Sequence, residues 1–134
     1  MGSMLALFDG SPSSLKAVEK ARTLLKDDDM LIVLSVIPTA HIEAMEDVDL
    51  GDEITPIVKA LEDLILQYTN ESINANGIVR YGDVLSEIVQ VVEENDCELI
   101  AIGAEPNTRL AKFQVGDLPA LICKKLSIPV LLVR

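Results

Sequence analysis

Few side chains in this 134-residue chain can do chemistry, and most of those are acidic. Asp9 and Ser11, in the run Asp9-Gly10-Ser11-Pro12, carry oxygens that can cap a helix or contact a ligand, as does Asp117 ahead of Leu118-Pro119. An activated nucleophile needs a base within hydrogen-bond reach. The crevice that these positions would form is expected to have no His or Cys nearby, and no lysine sits in a phosphate-binding motif. The single histidine, His41, cannot assemble a His-based metal site. Cys97 and Cys123 lack CxxC spacing and lie in apolar segments, so they read as two reduced core thiols of a cytosolic protein.

Other motifs fail on inspection. The acidic stretch Glu46 to Glu53 invites a calcium reading. Counting an EF-hand loop from Asp47 puts Gly51 one place early and Val58 where the bidentate glutamate belongs. A solvated loop over 39–54 is the better expectation. The sequon Asn70-Glu71-Ser72 carries meaning only with secretion. No GxGxxG follows the first apolar run and no GxxxxGK[ST] occurs, which argues against a dinucleotide enzyme and a phosphate-loop NTPase.

The composition sets the frame. With 49% hydrophobic residues and a mean hydropathy of +0.34, the chain can bury one domain core. Its net charge is -11, from 11 Lys+Arg against 22 Asp+Glu, so phosphate backbones and anionic lipid repel it. The longest basic run is Lys124-Lys125. No apolar run reaches about 18 residues and no signal peptide opens the chain, which predicts a cytoplasmic protein that contacts neither nucleic acid nor membrane. Met1-Gly2-Ser3 before Met4 resembles a cloning remnant, leaving a domain over 4–134.

The elements that must position these residues alternate. Apolar runs Met4 to Phe8, Leu31 to Ile37, Leu99 to Ile102 and Pro129 to Val133 lack polar alternation, as strands buried on both faces do. A weaker strand lies within Ile73 to Arg80. Between them, Leu15, Val18, Ala21 and Leu25 recur at helical spacing, as do Ile57, Leu61, Leu64, Ile65 and Tyr68, then Leu85, Ile88 and Val92, then Leu118, Leu121 and Ile122. Ser11 caps the first helix with Pro12 at its first position. The alternation predicts an α/β three-layer sandwich with a mostly parallel five-stranded sheet. In such sheets ligands bind at the carboxyl ends of the strands, here Asp9-Gly10-Ser11, Ile37-Pro38, Gly82-Asp83 and Gly103.

Those strand ends, in order, carry a resemblance. Asp9-Gly10-Ser11 closes strand one, Val36-Ile37-Pro38 closes strand two, and Tyr81-Gly82-Asp83 leads into Glu87-Ile88. Cys97-Glu98-Leu99-Ile100-Ala101-Ile102-Gly103 and Ile128-Pro129-Val130-Leu131-Leu132-Val133 follow. The chain resembles the universal stress protein family along essentially its whole length. The resemblance implies a Rossmann-like sheet of order 3-2-1-4-5, with Asp9 and Gly103 side by side at the switch point. It also implies an adenosine contact from Asp9, and it puts Ile37 near the base with its backbone exposed.

ATP-binding members carry glycine, two residues, glycine, nine residues, then glycine followed by Ser or Thr. Gly103 and Gly116 match the first and third glycines, but Pro106 replaces the second and Asp117 the hydroxyl residue. Proline has no N–H for a phosphate. An aspartate at the helix start can bond the amides a phosphate would use, and it repels an anion. Arg109 and Lys112 could offset part of that charge. These departures favour a regulatory domain with weak or absent adenine-nucleotide binding. Any cofactor would be ATP or AMP, with magnesium for the triphosphate. The alternative is an ATP-binding stress protein with slow hydrolysis or self-modification. A flavin domain would want stacking aromatics, and the chain is 3% aromatic without Trp.

The segment Pro129 to Val133 is apolar, lies at an edge in the implied order and has no helix after it. An edge of that kind invites pairing with a second copy, so a homodimer through this strand is expected.

Overall fold

Five strands, four of them apolar runs of Leu, Ile, Val, Met and Ala and one more polar, pair into one sheet of order β3-β2-β1-β4-β5. The computed structural model describes residues 2–39, 51–105 and 117–134. In chain order the elements are β1 (Ser3–Leu7), α1 (Pro12–Thr23), β2 (Met30–Pro38), α2 (Gly51–Asn70), β3 (Ala75–Gly82), α3 (Val84–Asn95), β4 (Cys97–Gly103), α4 (Leu118–Lys125) and β5 (Val130–Val133). All four strand pairings are parallel, with Leu5 opposite Ile32 on one side and Ile100 on the other. The order implied by the resemblance is the one observed.

Strand parity sorts the core into two layers. On one face Ala6, Leu31, Val33 and Ala101 meet Ala17, Val18 and Ala21 of α1 and Leu61, Leu64 and Tyr68 of α2. On the other, Leu5, Ile32, Leu34 and Ile100 meet Ile88, Val91 and Val92 of α3 and Ile122 of α4. Burial on both faces is why β1 and β2 read as unbroken apolar runs. Each fully buried Leu or Ile contributes about 1.5–3 kcal/mol. Among the described residues, no helix is long and apolar enough to cross a membrane.

Three boundaries differ from the expectation. The first strand starts at Ser3, which pairs with Met30 and Cys97, and the Gly2 amide donates to Asp29 Oδ1 at 3.1 Å. Residues 2 and 3 are therefore part of the fold. The second helix already runs from Gly51, inside the stretch expected as an acidic loop. Residues 40–50 of that stretch, His41 among them, lie outside the described residues. The third strand continues through Tyr81 and Gly82, which pair with Ile37 and Pro38.

The helix starts follow their side chains. Ser11 caps α1, its oxygen accepting from the Ser14 amide at 3.1 Å, with Pro12 in the first turn. Asp83 caps α3, its carboxylate accepting from the Ser86 amide at 3.0 Å and the Ser86 hydroxyl at 2.8 Å. Beyond α3 the chain reverses through Asp96 in the left-handed region, at φ 50°.

The cysteines separate. Cys97 is buried, as expected, but Cys123 is exposed on α4, so only one of them is a core thiol. Burial pushes the Cys97 thiol up from 9.0 to about 11, with the neighbouring Asp96 charge adding to it. Burial, and then the Glu19 carboxylate, also hold the Tyr68 phenol well above its ordinary value. The Arg22 guanidinium lies 5.7 Å from the Tyr68 ring centroid and pairs with Glu71 at 3.3 Å.

These groups set an alkaline limit. An unfolded thiol ionises near 9, whereas the folded Cys97 keeps its proton to about 11. Between those values the folded state binds more protons than the unfolded state, so stability falls as pH rises. Tyr68 has the same sign at higher pH. Urea midpoints measured from pH 8 upward are expected to fall through this window, and less steeply for Cys97→Ala. Equal slopes for the two proteins would contradict the assignment to Cys97.

Candidate functional site

The sheet changes direction between β1 and β4, because β1 connects outward to β2 while β4 lies on its other side. Their carboxyl ends therefore splay and leave a crevice. A cavity of about 290 Å³ sits there. Its apolar wall comes from β1 and β2 through Leu7, Leu34 and Val36, and from β4 through Ile102. Asp9, Gly103, Glu105 and Asp117 line it as well, together with Leu118 and Pro119 at the start of α4 and Leu132 of β5.

The turn after β1 is held by its own polar groups. Gly10 takes φ +85°, a conformation that disfavours any residue with a Cβ. The Ser11 amide donates to Asp9 Oδ1 at 2.9 Å, closing an Asx turn. The Asp9 amide in turn donates to Ser14 Oγ at 3.2 Å, and that hydroxyl donates to the Ser11 carbonyl at 2.9 Å. Buried Ser35 of β2 donates to the Phe8 carbonyl at 2.7 Å, which fixes the strand end feeding the turn.

Gly103 sits where α1 presses on β4. A Cβ added to it would lie 2.6 Å from the Ser13 carbonyl carbon, carbonyl oxygen and hydroxyl. Past it, the Ala104 amide donates to the Val133 carbonyl at 2.8 Å and the Glu105 amide to Ser13 Oγ at 2.9 Å. One short segment thus ties β4 to both α1 and β5.

The structure brings Asp9, Gly103 and Asp117 to one cavity. Strand alternation turns the Ile37 side chain away, fully buried against Ile57, and leaves its main chain between Val36 and Pro38, the neighbours that line the crevice. Asp117 occupies the N-cap of α4 as expected, but its carboxylate makes no cap hydrogen bond. The expectation that it fills the helix amides is corrected to that extent. Pro106, Arg109, Lys112 and Gly116 lie outside the described residues. Sequence reasoning missed Glu105 and Leu132, which face the cavity without any motif, and Ser13 and Ser14. The latter pair had a signal in the Ser11-Pro12-Ser13-Ser14 run.

A doubly wound parallel sheet with a cavity at its switch point defines a class of α/β domains that take ligands at the carboxyl ends of their strands. Within that class, the family model of the universal stress protein family matches residues 1–134, and the chain belongs to that family. The universal stress protein Rv1636 of Mycobacterium tuberculosis is 27% identical over 135 residues, spanning 94% of this chain and 91% of that one. The structure of UspA from Lactobacillus plantarum superposes with a TM-score of 0.71 at 16% identity, covering 99% of this chain and 97% of the other. A universal stress protein in complex with cAMP gives a TM-score of 0.69 at 20% identity, again over 99% and 97%. At these identities the two structures bear on the fold.

Proposed function

We propose that this universal stress protein domain is regulatory rather than enzymatic, and that its crevice binds ATP weakly or not at all. The observation that carries the reading is Asp117 at the N-cap of α4. Asp117 lines the cavity, and its side chain makes no cap hydrogen bond to the helix amides. A triphosphate at this helix end would meet a like charge, which costs about 1 kcal/mol per unit in water at ~4 Å and about 4 kcal/mol at an effective dielectric of 20. The residues in view also offer no pair of nucleophile and base. The structural relative that holds cAMP supports reading the crevice as the nucleotide-type pocket.

Calorimetric titration with ATP, with and without magnesium, is expected to give a Kd above about 10 μM, equivalent to roughly 7 kcal/mol. A tighter value would overturn the reading. Pro106→Gly combined with Asp117→Ser restores the glycine signature and is expected to raise ATP affinity.

Two further readings complete the proposal. The protein is placed in the cytoplasm, where free thiols such as Cys97 and Cys123 persist. It acts as a homodimer through β5, whose outer edge is unpaired in the five-strand order.

A further inference from the structure

We propose that the outer edge of β3 is a docking site for an extended, basic segment of a partner protein, which joins the sheet as an added strand.

β3 is a terminal strand of the sheet, with β2 on its inner side. The Leu31 amide donates to the Asn74 carbonyl at 2.9 Å, and Leu31 stands opposite Ala75. In a parallel ladder that register turns the main-chain groups of Asn76, Ile78 and Arg80 toward β2. The amides and carbonyls of Ala75, Gly77, Val79 and Tyr81 therefore face outward. Among the described residues, no hydrogen bond reaches them. β3 runs for 8 residues against 4 in β5, so it offers the longer open ladder. Main-chain groups presented in this way take an added strand, and the side chains around them select which strand it is.

Charge selects the occupant. On the α2 side, Ile65 lies over Gly77, its Cγ1 3.0 Å from where a Cβ would stand, and Glu62 is exposed one turn earlier on that side of the helix. On the α3 side, Glu87 and Glu94 flank the strand and hold Arg80 at 3.9 and 2.6 Å. Carboxylates thus border the edge on both faces of the sheet and outnumber the Arg80 cation, in a chain of net charge -11. A second copy would bring the same acids to this edge and is repelled. A strand carrying Lys or Arg meets opposite charge on both faces. Tyr81, 55% exposed at the end of β3, adds an aromatic surface that pairs well with a β-branched residue on the incoming strand.

The test uses the full chain and a synthetic peptide of alternating valine and lysine, about ten residues long, read by fluorescence anisotropy. It is expected to bind at least about tenfold more tightly than the corresponding peptide of valine and glutamate. A valine–lysine peptide methylated at every main-chain nitrogen keeps its charge and loses its main-chain donors, and is expected to bind at least about tenfold more weakly than its parent. Hydrogen exchange in the unaltered protein locates the site. Bound peptide is expected to slow the amides of Gly77, Val79 and Tyr81 and to leave those of Val130 and Leu132 unchanged. Glu62→Lys, an exposed change outside the core, is expected to weaken the valine–lysine peptide by about threefold or more. Equal binding of the parent and methylated peptides would reduce the contact to charge alone and overturn the proposal. Protection at β5 in place of β3, or no binding at about 1 mM, would overturn it as well. Unchanged affinity in Glu62→Lys would overturn the choice of a basic occupant.

Discussion

Replacing Gly103 with alanine is expected to destabilise the protein by about 1–3 kcal/mol, the usual range for overpacking a close contact. For a domain of this size that corresponds to a fall in Tm of roughly 5–10 °C. The new methyl would lie 2.6 Å from the Ser13 carbonyl carbon and oxygen. Those are backbone atoms at the start of α1, so relief requires the helix to move off the end of β4. Such a shift would also strain the Glu105 amide bond to Ser13 Oγ, and with it one side of the crevice. Gly2→Ala is the control. Its methyl would lie 2.8 Å from Glu98 Oε2, the far end of a flexible side chain that can swing away. A thermal melt is expected to show a loss of less than about 2 °C for Gly2→Ala, against the larger loss for Gly103→Ala. Ser13→Gly is not expected to rescue Gly103→Ala, because the obstructing carbon and oxygen belong to the main chain. Similar melts for the two alanine variants would show that the close approach at Gly103 carries no energetic weight.

Gly103 also shows how far the chain is legible before it folds. Its place at the end of an apolar run marks a strand terminus, and the resemblance adds a role at the crevice. Neither gives the packing reason, which depends on a helix about 90 residues earlier arriving within contact distance. The alternation of elements was legible because strands covered on both faces are apolar throughout, as Leu31 to Leu34 are. Strand order was not legible from periodicity and came with the resemblance, since buried parallel strands look alike to one another. At β2 the resemblance pointed to the main chain of Ile37, and the side chains that face the cavity there are those of its neighbours Val36 and Pro38, because side chains alternate between faces. Asp117 could be placed at a helix cap from the Asp-Leu-Pro run. Whether its carboxylate turns toward the amides or the cavity is a side-chain choice that sequence spacing does not encode. Cys123 sat in an apolar run yet faces outward, because α4 buries only one stripe, represented by Ile122.

Leu132→Lys is expected to convert a β5-paired homodimer into monomers. The strand stands at one edge of the sheet, and its backbone alternates. The carbonyls of Pro129 and Val133 accept from Ile100 and Ala104, on the β4 side, so the amides and carbonyls of Val130 and Leu132 face outward. Pro129 precedes the strand, where its missing donor breaks no ladder. A two-fold axis lets this edge pair antiparallel with its own copy. The opposite edge, β3, is longer but blunted by charge, since Arg80 pairs with Glu94 at 2.6 Å and Glu87 at 3.9 Å. The side chain to alter follows from burial. Leu131 packs into the core layer under α1, so Leu131→Lys would damage the monomer and does not isolate the interface. Leu132 is 47% exposed on the other face of the strand. Covering its exposed half in both copies would contribute about 0.7–1.4 kcal/mol per chain. Its loss is therefore expected to weaken association by about 10–100-fold. The net charge of -11 opposes the contact through repulsion that salt screens, so the dimer is expected to tighten from low salt to about 0.15 M. Light scattering coupled to size exclusion reads the outcome directly. A wild-type monomer at ~100 μM in about 0.15 M salt would refute the interface. A Leu132→Lys dimer as tight as wild type would move it away from the exposed face of β5.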